Sequence, residues 1–435
     1  MADYKGIDYL RQKLRDKRTR VLLKYEYYDM KNVVKDFGIS TPPDLRNWAS
    51  ALGWCAKGVD KLADRLVFRE FKNDIFDINE IFQMNNPDVL FRSAINGALV
   101  TSCDFISITE DENGYPRMQV IDGGNATGTI DPTTGLLKEG YAVLERNTYG
   151  VPVLEAYYLE TGTSYIYRSG KSRWFPHNVG HPLLVPIIYK PDEKRPFGRS
   201  RITRSWMSIV GSAMRTIKRS EIAAEFYSYP QKYVNGLDED SEKMEKWKAT
   251  MSSMLAIYKD KDGEKPVVGQ FQQQSMTPHT EQLKMFASLF ANEADLTFED
   301  MGFQGSNPSS ADAIKAAHEN MRLTARAAQR TFGSGFLNAG FLAACLRDGM
   351  QYRREVLYQT TARWEPIFEP DAVMLSAIGD GVIKLNQGVT GFITSETLSD
   401  LTGIAYNSEE SHHVSPEILR RLRNNLIKSS IRMRR

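Results

Sequence analysis

Residues 277–331 decide how the chain is read: TPHTEQLKMFASLFANEAD (277–295), GFQGSNPSS (302–310) and ADAIKAAHENMRLTARAAQRT (311–331). The first segment has the apolar spacing of a short amphipathic helix, and the third opens a long alanine-rich one. Between them lies a polar loop with helix-stop chemistry at Gly302 and Gly305 and a proline at 308. Ser309 and Ser310 offer an N-cap, with Asp312 in the first turn. A helix–loop–helix whose small residues face its neighbours is a mechanical part more often than a catalytic one. Seven alanines between 311 and 328 let helices approach closely, which reads as packing in a crowded assembly and not as a private monomer core.

Composition narrows the classes. With 435 residues, 41% hydrophobic and 25% charged, the chain has the make-up of an ordinary soluble protein with about two to three domains. A net charge of +2 excludes attraction to nucleic acid by bulk charge and leaves only local patches. Cys55, Cys103 and Cys345 are odd in number and widely spaced in apolar contexts, the pattern of reduced thiols. The charged start MADYKGIDYLRQKLRDKRTR has no apolar core of a secretory signal, and the apolar run 331–346 is too short to span a bilayer. The expected compartment is a cytosol.

Along the chain, residues 8–36 are expected to be helical, with Leu10, Leu14, Val21 and Leu22 as a broken stripe among six basic residues. That helix reads either as a solvated surface or as a basic arm meeting a partner or DNA. Residues 44–66 form a second expected helix, with Leu45, Leu52, Val59 and Leu66 on one face, and 88–100 a third. From Ser102 the period changes to that of a hairpin around Asn113 and Gly114, followed by strands at 141–147, 151–159 and 163–168. Helices followed by an antiparallel meander make the fold class α+β. Residues 176–200 read as an extended connector, and a helix is expected over 201–228. A small strand–helix–strand–strand insertion, with a turn at Asp262 and Gly263, should fill 231–276. Beyond the long helix come a strand at 352–360, an irregular link at 361–371, two short helices and a basic amphipathic tail.

Catalytic chemistry is sparse. His177 and His181 stand four apart, but Pro176, Gly180 and Pro182 oppose the helix that would bring them together as metal ligands. His412 and His413 read as an exposed loop beside Glu409 and Glu410. No GxxxxGK[ST], GxSxG or CxxC pattern occurs, Gly333 and Gly335 lie inside helical sequence, and Glu299 and Asp300 follow a helix end where carboxylates are solvated. No catalytic residue, metal or cofactor is expected. Lys315, Arg322, Arg326 and Arg330 could form a basic stripe or a solvated face with Glu319 as partner.

The order of parts resembles the portal proteins of tailed bacteriophages, of the siphovirus head–tail connector type. The similarity is carried by FGISTPPDLRNWASALGWCAKGVDKLADRLVFREF (37–71), by the valine–proline strand, Pro-Phe-Gly turn and helix of 180–236, by GFQGSNPSSADAIKAAHENM (302–321) and by RWEPIFEPD (363–371). It spans roughly residues 15–405, and rests on order and spacing rather than on one motif.

The resemblance implies a subunit of a homo-oligomeric ring, usually a dodecamer, acting as a virion component at the portal vertex. Residues 1–200 and 311–405 would form the wing, 201–228 and 277–296 the stem helices, 229–276 the clip, 297–310 the channel loop and 406–435 a short crown. Phe303, Gln304, Ser306, Asn307 and Ser309 would line the channel. Lys315, Arg322, Arg326, Arg330, Arg215, Lys218 and Arg219 would touch DNA or a neighbouring subunit, and Tyr233, Asn235, Lys259 and Asp262 would be clip contacts. Implied partners are double-stranded DNA, the terminase large subunit, the head–tail adaptor and the major capsid protein, with no membrane. Physics is compatible: a conduit that lets DNA slide should neutralise few phosphates. The competing classes are an α+β nuclease or hydrolase, and a capsid-scaffolding or DNA-binding protein. Deleting 302–309 should spare ring assembly, seen by light scattering, and impair DNA packaging; loss of the ring would make the loop structural instead.

Overall fold

A computed structural model describes residues 4–35, 50–228, 232–235, 267–270, 275–303, 316–368, 370 and 372–404. The chain divides into two compact units, one from Met1–Asp29, Cys55–Thr203 and Ser309–Arg435, the other from Met30–Trp54 and Arg204–Pro308. Both helices and sheets are present, as the α+β expectation required.

In the first unit, helix α1 (Ile7–Tyr28) lays Leu10 and Leu14 against Tyr141 and Val143 of the sheet beneath it. Helix α1 stops at Tyr28 and not at 36, where Met30 takes a positive φ of 59°. Leu22 is exposed and drops out of the expected stripe. Helix α2 (Trp54–Ala63) begins two residues after Leu52 and ends before Leu66, so of the expected face only Val59 lies in it; Leu45 lies outside the described residues. The short α3 (Ile78–Gln83) and α4 (Pro87–Thr101) follow, the latter with proline in its first turn, where the missing N–H costs nothing.

The hairpin expected around Gly114 is β2 (Cys103–Glu110) with β3 (Pro116–Ile121). Asp111 Oδ1 accepts the Asn113 and Tyr115 amides at 2.9 Å each, and Gly114 takes the left-handed position, φ 74°. Strand β9 (Leu184–Ile188) joins the other edge of β2 to give a three-stranded sheet, so the connector of 176–200 contains a buried strand. A second sheet is a five-stranded meander, β4 (Ala126–Ile130), β5 (Leu137–Arg146), β6 (Pro152–Leu159), β7 (Gly162–Tyr167) and β8 (Ser172–Pro176).

Helix α7 (Glu319–Arg347) is the spine of this unit; the start expected at 311–315 lies outside the described residues. Gly333, Gly335 and Gly340 serve the chain's own core; of the alanines of 311–328, Ala325 and Ala328 are buried, Ala316 and Ala317 are exposed, and Ala311 and Ala313 lie outside the described residues. A Cβ on Gly333 would stand 2.8 Å from Ala362 Cβ, one on Gly335 2.9 Å from Ile187 Cδ1, and one on Gly340 2.2 Å from Ile78 Cγ2. Phe336 of α7 meets Phe91 of α4 edge-on at 4.7 Å, and Phe91 meets Phe68 at 4.4 Å. Phe68 opens β1 (Phe68–Lys72), which pairs antiparallel with β12 (Thr361–Trp364). The strand expected at 352–360 is instead a 3₁₀ turn at Arg354–Leu357, and the expected link supplies the strand. Its partner lies almost three hundred residues earlier, beyond any local pattern. Helices α8 (Ala372–Gly388) and α9 (Ser395–Thr402) complete the described part, α9 capped by Thr394. The tail of 406–435 lies outside it.

In the second unit, α5 (Arg204–Ser228) packs on α6 (Thr277–Glu293) through Trp206 and Phe290, with ring centroids 4.9 Å apart, and through buried Ala213, Ala287 and Ala291. The Trp206 indole N–H donates to the Glu293 carbonyl at 3.2 Å, and the Thr216 hydroxyl to Gln282 Oε1 at 3.0 Å. Strands β10 (Lys232–Asn235) and β11 (Val267–Gln270) pair antiparallel; the helix and strand expected between them lie outside the described residues.

The glycine seam makes a prediction of sign. Alanine normally stabilises a helix by about 1 kcal/mol over glycine. Gly340→Ala should nevertheless lower stability by about 1–3 kcal/mol, because its methyl overpacks Ile78. Gly379→Ala in α8, where nothing lies within 4 Å, should stabilise. Calorimetric melting of both variants checks the contrast.

Candidate functional site

Of the expected channel-loop residues, only Phe303 is among those described, and it stacks on Phe298 at 4.9 Å and 17°. The turn leading to it is closed by Thr297, whose amide and hydroxyl both donate to Asp300 Oδ2 at 3.0 and 2.9 Å. Asp300, expected as a solvated carboxylate, is thus bonded into the turn, while Glu299 is exposed. Gln304, Ser306, Asn307, Ser309, Lys315, Lys259 and Asp262 lie outside the described residues. Tyr233 and Asn235 are on β10, opposite Gly269 and Val267. On α5, Lys218 is buried, and Arg215 is half-buried and donates to Ser212 Oγ at 2.9 Å; Arg219 is half-buried as well.

The arginines of α7 divide. Arg322 is held by Glu319 at 2.5 Å, the solvated pair foreseen as the alternative. Arg326 and Arg330, one turn apart, are exposed and border a groove of about 680 Å³ between α7 and β12. Leu323, Leu337 and Trp364 form its apolar wall. Sequence reading missed this groove because Trp364 reaches it only through the pairing of β12 with β1.

Part of the basic face of α1 is spent within its own unit, while Arg15 and Arg20 stay exposed. Arg11 pairs with Glu155 at 2.5 Å, Lys13 donates to the Gly128 carbonyl at 2.6 Å, Lys17 sits 4.4 Å from the Phe197 ring centre, and Lys24 bonds the Ile202 carbonyl. Burial pushes the Lys13 ammonium down to about 8 and lowers Lys17. These cations support the fold more than they advertise a DNA-binding arm. Glu139, fully buried, closes the same corner by accepting from the Lys5 and Gly6 amides and the Tyr157 hydroxyl.

An enzyme would be sought where carboxylates meet a cavity. One cavity of about 430 Å³ is bordered by Tyr25, Tyr28, Asn96, Asp104 and Asp122. Its carboxylates are structural. Asp104 Oδ1 accepts from the Thr101 hydroxyl and the Gly123 amide, both at 3.0 Å, and Asp122 accepts from the Gly124 amide at 2.7 Å and Asn125 Nδ2 at 2.5 Å. Gly97 must lack a side chain, since a Cβ there would fall 1.7 Å from Asp104 Oδ2. The three cysteines are free and buried, their thiols raised by desolvation, Cys55 and Cys345 to about 12. His177 has both ring nitrogens without hydrogen-bond partners, and burial lowers both it and His181; no group of three metal-ligating side chains occurs among the described residues.

Burial, reinforced by the charge of Asp122, raises the Asp104 carboxyl well above the usual range, while the Thr101 and Gly123 hydrogen bonds oppose it. A raised folded-state value favours the folded protein at low pH, and that advantage is lost as pH rises through the folded value. Asp104→Asn keeps the acceptor oxygen and removes the titration. It should therefore raise the melting temperature relative to the parent by on the order of 2 °C at pH 8, and by less at pH 4. Parallel melts at the two pH values check it, and an equal or reversed shift contradicts it.

No protein-family model matches the chain. The portal protein of Mycobacterium phage L5 is 22% identical over 396 residues, which cover 85% of this chain and 79% of that protein. The portal protein of Mycobacterium phage D29 is 23% identical over 395 residues, with the same coverage. Among solved structures, the neck of an empty GTA particle computed with C6 symmetry aligns at a TM-score of 0.43 and 14% identity, and the neck of a native GTA particle computed with C12 symmetry at 0.44 and 13%. Each covers 85% of this chain and 96% of the matched one. The relatives favour the portal reading over the enzyme and scaffolding alternatives, and across 85% of its length the chain is a relative of phage portal proteins.

Proposed function

We propose that this chain is a structural portal subunit. Copies of it form a ring, a dodecamer, at one capsid vertex, and double-stranded DNA is packaged and later ejected through the central channel. The relatives carry the name, and the observation in this molecule that carries the reading is α8. This seventeen-residue helix buries none of its side chains, although Val373 is 78% and Ile383 57% exposed. The chain beyond it adds exposed Val389 and Phe392. Apolar side chains left in water in this number mark a surface that partners cover. No described helix is long and apolar enough to cross a membrane, so a transmembrane span does not account for it. A shell of neighbouring copies and capsid protein does.

The α5–α6 pair and the β10–β11 ribbon belong to a unit whose sequence is inserted between segments of the sheet-bearing unit. That organisation supports reading 201–228 and 277–296 as stem, 229–276 as clip, 297–310 as channel loop, and 1–200 with 311–405 as wing; 406–435 would be a short crown. The clip, with Tyr233, Asn235, Lys259 and Asp262, would dock the terminase large subunit first and the head–tail adaptor afterwards. The wing would meet the major capsid protein. A net charge of +2 suits a channel in which DNA slides with few phosphate contacts. The particle would be assembled in the host cytoplasm and function in the virion.

Light scattering with negative-stain imaging of the purified chain tests the reading. The expected particle has a mass of about twelve chains and a central hole. A stable single chain, with or without turnover on DNA, would overturn it.

A further inference from the structure

A ring built head to tail needs two different surfaces on each subunit, one receiving and one inserting. The groove between α7 and β12 has the character of a receiver. Arg326 and Arg330 are exposed on successive turns, repel each other, and have neither ion pair nor hydrogen bond among the described residues. The Trp364 indole N–H also lacks a partner there, and its nitrogen lies beside Gly333 on the groove floor, 3.5 Å from where a Cβ would stand. Leu323, 53% exposed, completes the wall. Among the described residues no carboxylate borders the groove. Its chemistry is therefore two free guanidiniums, an unpaired donor and an apolar wall, the set that accepts an aromatic ring with an acidic neighbour.

The same chain carries such a group. Tyr149, 89% exposed, stands at the tip of the β5–β6 hairpin. The tip is rigidly held. Asn147 Oδ1 accepts the Tyr149 and Val151 amides at 3.1 and 2.9 Å, the Asn147 amide donates to the Val151 carbonyl at 3.0 Å, and Arg146 Nη1 bonds the Gly150 carbonyl at 2.9 Å. A hairpin tip whose backbone is held by four hydrogen bonds is preorganised for a partner, because little loop freedom remains to be lost. Exposed Glu145, with no ion pair among the described residues, and Val151 flank it.

We infer that the Tyr149 hairpin tip of one subunit inserts into the Arg326–Arg330–Trp364 groove of the next copy, with Glu145 answering the arginines. This rests on the ring reading above. DNA is the poorer occupant, since two cations neutralise few phosphates and the leucine and tryptophan wall gains nothing from a sugar–phosphate backbone.

Engineered cysteines test it in the full chain, whose native thiols are buried. Tyr149→Cys combined with Leu323→Cys should give a ladder of disulfide-linked chains from assembled rings, and neither single variant should. Arg326→Glu with Arg330→Glu should raise the concentration needed for assembly by about tenfold or more, and adding Glu145→Arg should restore it. Circular dichroism melts of these surface variants confirm folding. Rings that form normally in the arginine double variant and in Tyr149→Ala, with no ladder, overturn the inference and leave the ring reading standing. Normal rings that lose DNA retention in the arginine variant also overturn it, and assign the groove to nucleic acid. A wild-type chain that never assembles removes the ring reading and this inference together.

Discussion

The close approach of α7 to its neighbours is the constraint on which the larger unit depends. Three glycines spaced along one helix let Ala362, Ile187 and Ile78 come to distances that a single methyl would forbid. Those three residues belong to β12, β9 and α3, elements drawn from opposite ends of the chain. The helix gives up intrinsic propensity at each glycine, about 1 kcal/mol apiece. It recovers this through dispersion and through the aromatic cluster of Phe68, Phe82, Phe91 and Phe336 that the approach allows. The β1–β12 ribbon then brings the chain's beginning and end into one core.

Much of this was legible locally. The hairpin at Gly114 declares itself because an aspartate, an asparagine and a glycine satisfy and shape the turn by themselves. Helices α4, α5 and α6 are read from spacing, with proline in the first turn of α4 and α6. What was not legible depends on distant partners. Strand β12 exists because β1 pairs with it, and β9 exists inside a proline-rich segment because β2 offers an edge. Small residues announce close packing but not with whom: in the alanine-rich segment Ala325 and Ala328 pack within the chain, while Ala316 and Ala317 stay exposed. The groove beside Trp364 was invisible until β12 was in place.

The functional account turns on a contrast between the two ends of the first unit. Around α1, charged groups such as Arg11 and Lys13 are matched within the chain, down to a buried Glu139 that accepts the amides of the N-terminal arm. Around α8 the balance reverses: Val373, Ile383 and Leu385 are exposed, and Leu375, Ile378 and Val382 are only half-buried. Exposed apolar side chains of this kind are the mark of a surface made for a partner. On the proposed portal reading, neighbouring copies and capsid protein would cover that surface.

The most direct test is covalent footprinting of α8 in dispersed chains and in assembled particles. The account predicts that Val373, Ile383 and Leu385 label readily when dispersed and are strongly protected on assembly. Equal labelling in both states would contradict the claim that this surface is completed by neighbouring subunits.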